Sequence, residues 1–101
     1  TACLFSGQFL LVFSFIHALA LGGTKSGLLY HTALDIAVET VAGAAKILKE
    51  TGEHPISLLS KVISPAGTTI QGINALEQNR FTATVIEAVE KASERAGELE
   101  N

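Results

Sequence analysis

The sequence predicts an all-α fold, a bundle of about five helices. No stretch alternates apolar and polar residues as a half-buried strand does, whereas several segments repeat apolar residues at the i, i+3, i+4 spacing of a helix. Breaks that contain glycine or proline separate these segments. A length of 101 residues leaves room for one small domain with a single core.

The first 24 residues carry no charge and form the first predicted helix, which we expect Gly22 and Gly23 to end before a turn at Lys25-Ser26-Gly27. The most apolar run covers the 13 residues 9–21, fewer than the ~20 that a membrane-spanning helix needs. A secretory signal begins with lysine or arginine before its apolar run, but no lysine or arginine precedes this run. We expect this helix to be buried at a subunit interface. Membrane attachment through residues 1–24 is the alternative.

The second predicted helix covers residues 32–51, where apolar residues follow one face. Gly52 is expected just past its end, where a left-handed conformation favours glycine. Its small residues would let another helix approach closely; they are Ala33, Ala37, Ala42, Gly43, Ala44 and Ala45.

Three shorter helices complete the prediction. Pro55 suits the first turn of a helix over residues 56–63, and a break at residues 64–67 precedes a fourth helix over residues 68–78. We expect Thr82 to cap the last helix. The inner face of that helix is predicted to consist of Val85, Ile86, Val89, Ala92 and Ala96.

Composition excludes several classes of function. A net charge of −3 argues against a nucleic-acid partner, because a binding surface for phosphates is basic. One cysteine excludes an intrachain disulfide framework and suits a reducing compartment, so we expect a cytoplasmic protein.

No metal or cofactor site is predicted from the residue pattern. The three histidines, His17, His31 and His54, lack metal-ligand spacing and are interpreted as interface, turn or cap residues. The chain contains no G-x-G-x-x-G or Walker motif, and no cofactor-binding residue is assigned.

Residues 64–70, SPAGTTI, form the segment with the clearest functional pattern. It interrupts a helix and starts another with adjacent threonines. Unpaired N–H groups at a helix start, together with hydroxyls, can bind a small anion such as a carboxylate. The simpler alternative is a plain helix–helix corner in which Ser64 or Thr68 caps its own helix.

Residues 62–70, followed by Gly72-Ile73 and Leu76-Glu77, resemble the signature of pyrroline-5-carboxylate reductases, S-P-G-G-T-T-I-x-G and then L-E. The resemblance covers roughly residues 15–99. It includes the further segments FIHALA (15–20), ETVAGAAK (39–46), TGEHP (51–55) and VIEAVE (85–90).

The resemblance implies a fold and a function. Enzymes of this family have an N-terminal Rossmann domain that binds NADH or NADPH and a C-terminal helical domain that dimerises. Only the second domain resembles these 101 residues. The implied fold is an interlocking helical dimer, similar to the C-terminal domain of 6-phosphogluconate dehydrogenase, or a higher homo-oligomer. The implied reaction reduces 1-pyrroline-5-carboxylate to L-proline, the last step of proline biosynthesis. The chain alone is expected to be inactive.

The resemblance also assigns site residues, and it favours the anion site over the plain corner. Ser64, Gly67, Thr68 and Thr69 would hold the substrate carboxylate. Ser14, on the first helix, falls at a hydroxyl position suggested to lie near the imine nitrogen and is the catalytic candidate.

The sequence departs from the family pattern at three places. Ala66 replaces the first glycine of the signature pair, and Leu58-Leu59-Ser60 replaces L-K-D. Residues 4–10, LFSGQFL, stand where the family has S-G-S-G-P-A-Y. The alternative function is therefore a non-catalytic helical association module that has kept the fold, membrane-attached through residues 1–24.

Overall fold

The computed structural model describes residues 2–62 and 67–100, and within these ranges it contains five helices and no strand. The helices are α1 (Ala2–Lys25), α2 (Tyr30–Thr51), α3 (Pro55–Val62), α4 (Thr68–Gln78) and α5 (Phe81–Glu100). The predicted all-α class and helix number are confirmed. The chain divides into two compact units. One is Gln8–Gly52, which we call the α1–α2 unit; the other joins Thr1–Gly7 to Glu53–Asn101 and is called the α3–α5 unit.

The predicted end of the first helix at Gly22-Gly23 is wrong, because α1 continues to Lys25. The residue that terminates the helix is Gly27, two positions past its end, whose φ of 110° places it in the left-handed region. The Gly27 N–H donates to the Thr24 carbonyl at 3.0 Å, and the Leu28 N–H donates to the Gly23 carbonyl at 3.1 Å. These two bonds make a Schellman motif, which satisfies carbonyls that the helix end would leave unpaired. The predicted turn is therefore confined to Ser26 and Gly27.

Position 23 of α1 requires a glycine because another helix passes very close to it. A Cβ atom at position 23 would lie 2.9 Å from the Cβ of Ala33 on α2, closer than two such atoms can pack. Ala20, Ala33 and Ala37 are the buried hydrophobic residues of the described chain. The expectation that small residues of the second helix permit a close approach is confirmed at Ala33.

The other boundaries agree closely with the predictions. α2 begins two residues earlier than expected, and Gly52 follows it at φ 67°, donating its N–H to the Leu48 carbonyl at 3.0 Å. α3 begins at Pro55, one residue early, and its predicted end at Ile63 lies outside the described residues. α4 has the predicted bounds.

Thr82 is not the cap of the last helix. It is the second residue of α5, and its hydroxyl donates to the Glu77 carboxylate at 2.7 Å. The chain reverses at Arg80, which has a left-handed φ of 62° and whose carbonyl accepts the Thr84 N–H at 2.8 Å. The helix therefore starts from a backbone reversal, which no residue pattern around Thr82 signals.

The predicted inner face of α5 is only half correct for the single chain. Val89 and Ala92 are half-buried, but Val85 and Ile86 are exposed, and the side chain of Ala96 lies outside the described part of the structure. In the single chain α1 is exposed, as a helix that is buried only at a subunit interface would be: Leu10 and Phe13 have 66% and 61% of their surface accessible. Residues Gly7–Lys25 satisfy the length and composition of a membrane span, a test that core helices of soluble proteins also pass.

The two adjacent glycines of α1 provide a matched test of the α1–α2 contact. We expect Gly23→Ala to lower the free energy of unfolding by roughly 1–2 kcal/mol, the net of overpacking against Ala33 and the gain in helix propensity. Gly22→Ala is expected to raise it by about 0.5–1 kcal/mol, because a Cβ there has no atom within 4 Å. Urea denaturation of both variants measures the difference. Stabilisation of equal size by both would contradict the close approach.

Candidate carboxylate-binding site

The predicted carboxylate site falls at the α3–α4 corner, of which the structure describes part. Ser64 lies outside the described residues, and so does the side chain of Thr68. Gly67, the backbone of Thr68 and Thr69 are described. Gly67 immediately precedes α4, Thr68 is its first residue, and the exposed Thr69 is its second. The structure thus places three of the four predicted binding residues consecutively at a helix start.

Gly67 sets the geometry of this corner. It is the N-cap residue of α4 at φ 81° and ψ 4°, and its carbonyl accepts the Gln71 N–H at 3.0 Å. A left-handed N-cap is unusual, because N-cap residues ordinarily have extended backbone and a side-chain acceptor. The cap here supplies no side-chain hydrogen bond to the helix. Thr68 is inside the helix, so the interpretation of Thr68 as a cap for its own helix is wrong.

The chemistry of this helix start suits an anion. The first N–H groups of an α-helix have no partner within the helix, and the macrodipole places partial positive charge there. Because Gly67 has no side chain, its position offers no carboxylate or hydroxyl that would occupy those donors. Thr69 adds an exposed hydroxyl in the first turn. The arrangement can donate several hydrogen bonds to one carboxylate.

α3, which leads towards the corner, is held at both ends by side-chain contacts. The Ile56 N–H donates to Nδ1 of His54 at 3.1 Å, so His54 caps the helix. Lys61, in the last turn, donates to the carboxylate of Glu53, which precedes the helix. The expectation of a cap histidine is confirmed at His54. The Glu53–Lys61 pair has an eight-residue separation, which no i, i+4 rule detects.

Ser14 is exposed on α1 and belongs to the α1–α2 unit, whereas Thr69 belongs to the α3–α5 unit. Neither unit by itself brings the two hydroxyls together.

The other two histidines have side-chain partners of their own. On α1, Nδ1 of His17 lies 2.8 Å from the Tyr30 hydroxyl, and the two rings meet edge to face with centroids 5.7 Å apart. His31 lies on α2 with Nδ1 3.9 Å from the Asp35 carboxylate. Within the described ranges, no group of three His, Cys, Asp or Glu side chains is placed to hold a metal ion.

The comparison with known protein families decides the relationship. The family described as pyrroline-5-carboxylate reductase dimerisation matches residues 5–99. The chain belongs to this family. The resemblance drawn from the SPAGTTI segment and its flanks is therefore confirmed.

Individual relatives agree with this result. The pyrroline-5-carboxylate reductase of Aquifex aeolicus is 51% identical over 88 residues, covering 87% of this chain and 33% of the relative. The reductase of Arabidopsis thaliana is 47% identical over 88 residues, covering 87% of this chain and 32% of the relative.

A solved structure shows the same fold. The crystal structure of Plasmodium falciparum pyrroline carboxylate reductase with NADP bound superposes with a TM-score of 0.79 at 33% identity, covering 84% of this chain and 32% of that one. The chain therefore spans about one third of the length of the relatives that it matches.

The left-handed backbone at Gly67 gives a stability test of the corner. We expect Gly67→Ala to lower the free energy of unfolding by about 1–2 kcal/mol, because an L residue is strained at positive φ. The nearest side-chain atom to a Cβ there is 3.7 Å away, on Ile70, so backbone strain rather than a clash is the cause. Gly67→Asn should be milder, since asparagine tolerates this region. Thermal and urea unfolding check the order Gly, Asn, Ala; equal stability of all three would contradict the assigned conformation.

Proposed function

We propose that this chain is the C-terminal dimerisation and substrate-binding domain of a reductase that converts 1-pyrroline-5-carboxylate into L-proline with NADH or NADPH. Membership of the dimerisation family over residues 5–99 is the observation that carries the proposal. The names of the relatives and the NADP bound in the Plasmodium falciparum enzyme support the reaction and the cofactor. The reaction would be the last step of proline biosynthesis, and a cytoplasmic location remains part of the proposal.

The substrate carboxylate would bind at the α3–α4 corner. The first-turn N–H groups of α4 would donate to it, as would the hydroxyls of Ser64, Thr68 and Thr69. Gly67 supports this role because this N-cap residue places no side-chain acceptor on the first N–H groups of α4. Hydrogen bonds to a charged partner are roughly twice as strong as those between neutral groups, so this corner would fix the position of the substrate.

Reduction of the imine adds a hydride to its carbon and a proton to its nitrogen, and a bound nicotinamide supplies the hydride. A dinucleotide site is ordinarily built from a strand, a glycine-rich turn and a helix, a unit that the described residues do not contain. We therefore assign the nicotinamide mainly to a separate N-terminal domain. Ser14 is proposed to lie near the imine nitrogen, where its hydroxyl could accept a hydrogen bond from the protonated nitrogen or donate one to the neutral nitrogen.

Self-association would cover the apolar surface of the two units. The side chains buried in the described protomer belong to three alanines, whereas large apolar residues of α1 and α2, such as Leu10, Phe13 and Ile36, face solvent. Within the α3–α5 unit, an apolar groove of about 430 Å³ lies between α4 and α5, with Leu76, Phe81 and Val85 among its lining residues. Soluble monomers rarely leave so much apolar surface uncovered. A second copy of the chain, in a homodimer or a higher homo-oligomer, would bury it.

A non-catalytic association module attached to a membrane through residues 1–24 is the second candidate. The exposure of α1 and its membrane-compatible length favour it over a soluble monomer. The two candidates differ in their detergent requirement: a membrane-attached helix needs detergent or lipid to stay in solution, whereas a homodimer buries α1 without either.

We expect the chain to sediment as a dimer or larger species at micromolar concentration without detergent. Phe13→Glu should weaken the association at least about ten-fold, because it places a charge where ~1.5–3 kcal/mol of aromatic burial is expected. Gln71→Glu adds a charge of the same sign at an exposed position of α4 and serves as the matched control. Analytical ultracentrifugation measures both. A wild-type monomer, or aggregation relieved only by detergent, would contradict the homodimer.

The carboxylate site is tested in a chimera of the Aquifex aeolicus reductase whose C-terminal third is replaced by this chain. We expect Thr69→Val and Ser64→Ala each to raise KM for pyrroline-5-carboxylate about 10- to 100-fold. That is the effect of losing one hydrogen bond to a charged group, roughly 1.5–3 kcal/mol. The KM for NADPH should stay nearly constant, because the nucleotide binds mainly to the other domain. NADPH oxidation measured by absorbance checks both constants.

The isolated chain is the control for this assay and should oxidise no NADPH above the buffer rate. Unchanged substrate KM in both chimera variants would show that the segment is only a helix–helix corner. Loss of folding in both, seen by circular dichroism, would show that these hydroxyls are structural and would contradict the site assignment equally.

A further inference from the structure

We propose that His54 is a pH-sensitive cap that holds the first turn of α3 only while its imidazole is neutral. Nδ1 of His54 accepts the Ile56 N–H at 3.1 Å, and the His54 carbonyl accepts the Leu58 N–H at 3.1 Å. The residue thus occupies the N-cap position, where the side-chain acceptor is ordinarily the oxygen of Ser, Thr, Asp or Asn. This inference concerns the stability of α3 and does not depend on the proposed enzymatic function.

The imidazole can act as an acceptor in one protonation state only. In the neutral tautomer with its proton on Nε2, Nδ1 has a free lone pair, which accepts the Ile56 N–H. Protonation converts Nδ1 into a donor, so two N–H groups would face each other. The added positive charge would also lie at the positive end of the helix macrodipole. Both effects disfavour the capped helix, so the cap is lost when the imidazole takes up a proton.

The charged groups beside this cap do not replace it. Glu53 precedes His54 in the chain, and its carboxylate already accepts a hydrogen bond from Lys61 in the last turn of α3. The cation of Lys61 therefore offsets the anion that would otherwise attract a protonated His54. The Glu53–Lys61 pair joins the two ends of α3, but it supplies no acceptor for the Ile56 N–H.

The other histidines have partners that tolerate protonation. His17 contacts the Tyr30 hydroxyl, which can either donate or accept and can therefore serve both states of the ring. His31 lies 3.9 Å from the Asp35 carboxylate, a contact that a positive charge on the ring strengthens. Among the three histidines, protonation removes the observed interaction at His54 alone.

α3 is a helix whose stability depends strongly on such a cap. It has eight residues, fewer than the roughly 12–15 at which isolated helices become marginally stable in water. Its second residue, Ile56, has 60% of its surface exposed, so packing within the chain contributes little at this end. Loss of the cap should therefore open the first turn before the rest of the fold responds.

Nuclear magnetic resonance on the full chain tests the proposal. The ring resonances of His54 report its protonation, while hydrogen-exchange protection factors, corrected for the intrinsic pH dependence of exchange, report opening of α3. We expect the opening of the first turn of α3 to increase about 2- to 30-fold as His54 protonates, the range for loss of an N-cap. Protection in α2 should remain constant over the same titration.

Two variants make the result specific. His54→Asn supplies an acceptor that does not titrate, so α3 should keep its protection from pH 8 to pH 5. His31→Gln removes the exposed histidine of α2 and should leave the transition in α3 unchanged. A transition in α3 that persists in His54→Asn, or constant protection of α3 while the wild-type His54 ring titrates, would overturn the proposal. Equal loss of protection in α2 and α3 would show general acid unfolding and would overturn it as well.

Discussion

The close approach of α1 to α2 depends on Gly23 having no side chain. With the Cβ of Ala33 only 2.9 Å from the place of the absent Cβ, the two helices meet through small residues. Ala20, Ala33 and Ala37 are the buried hydrophobic residues of the described chain. Glycine and alanine bury little apolar area, so this contact fixes geometry more than it contributes hydrophobic free energy. The larger side chains, among them Leu10 and Phe13, are left facing outwards. The same small-residue contact thus brings α1 and α2 together and leaves their larger apolar side chains without a covering surface.

Much of the fold could be predicted from the sequence because its helix boundaries follow local backbone rules. Pro55 and Gly52 have strong positional preferences, and both lie where those preferences place them. Gly22-Gly23 misled the prediction because a glycine pair is equally compatible with a helix end and with a close helix contact. Thr82 misled it because a side chain that can cap a helix can also bond a neighbouring carboxylate, here that of Glu77. Distinguishing these alternatives requires knowing which residues meet in space.

The candidate site was predicted from a combination of local chemistry and family resemblance. The SPAGTTI segment indicated a helix start with hydroxyls, and the structure places Gly67 and Thr69 at that start. The backbone conformation of Gly67 was not predicted, because a glycine between two helices is compatible with several turns. The pairing of Glu53 with Lys61 was also not predicted, because it depends on how the chain enters and leaves α3.

The scarcity of buried side chains has a consequence for how stability is defined. Because the described core consists of alanines, the proposed self-association would supply most of the hydrophobic free energy. Folding and assembly would then be a single equilibrium, and the melting temperature would rise with protein concentration. Substitutions at solvent-facing positions of α1 would behave as core substitutions do in a monomer. For such a protein the amount present in solution is itself a determinant of whether the native structure persists.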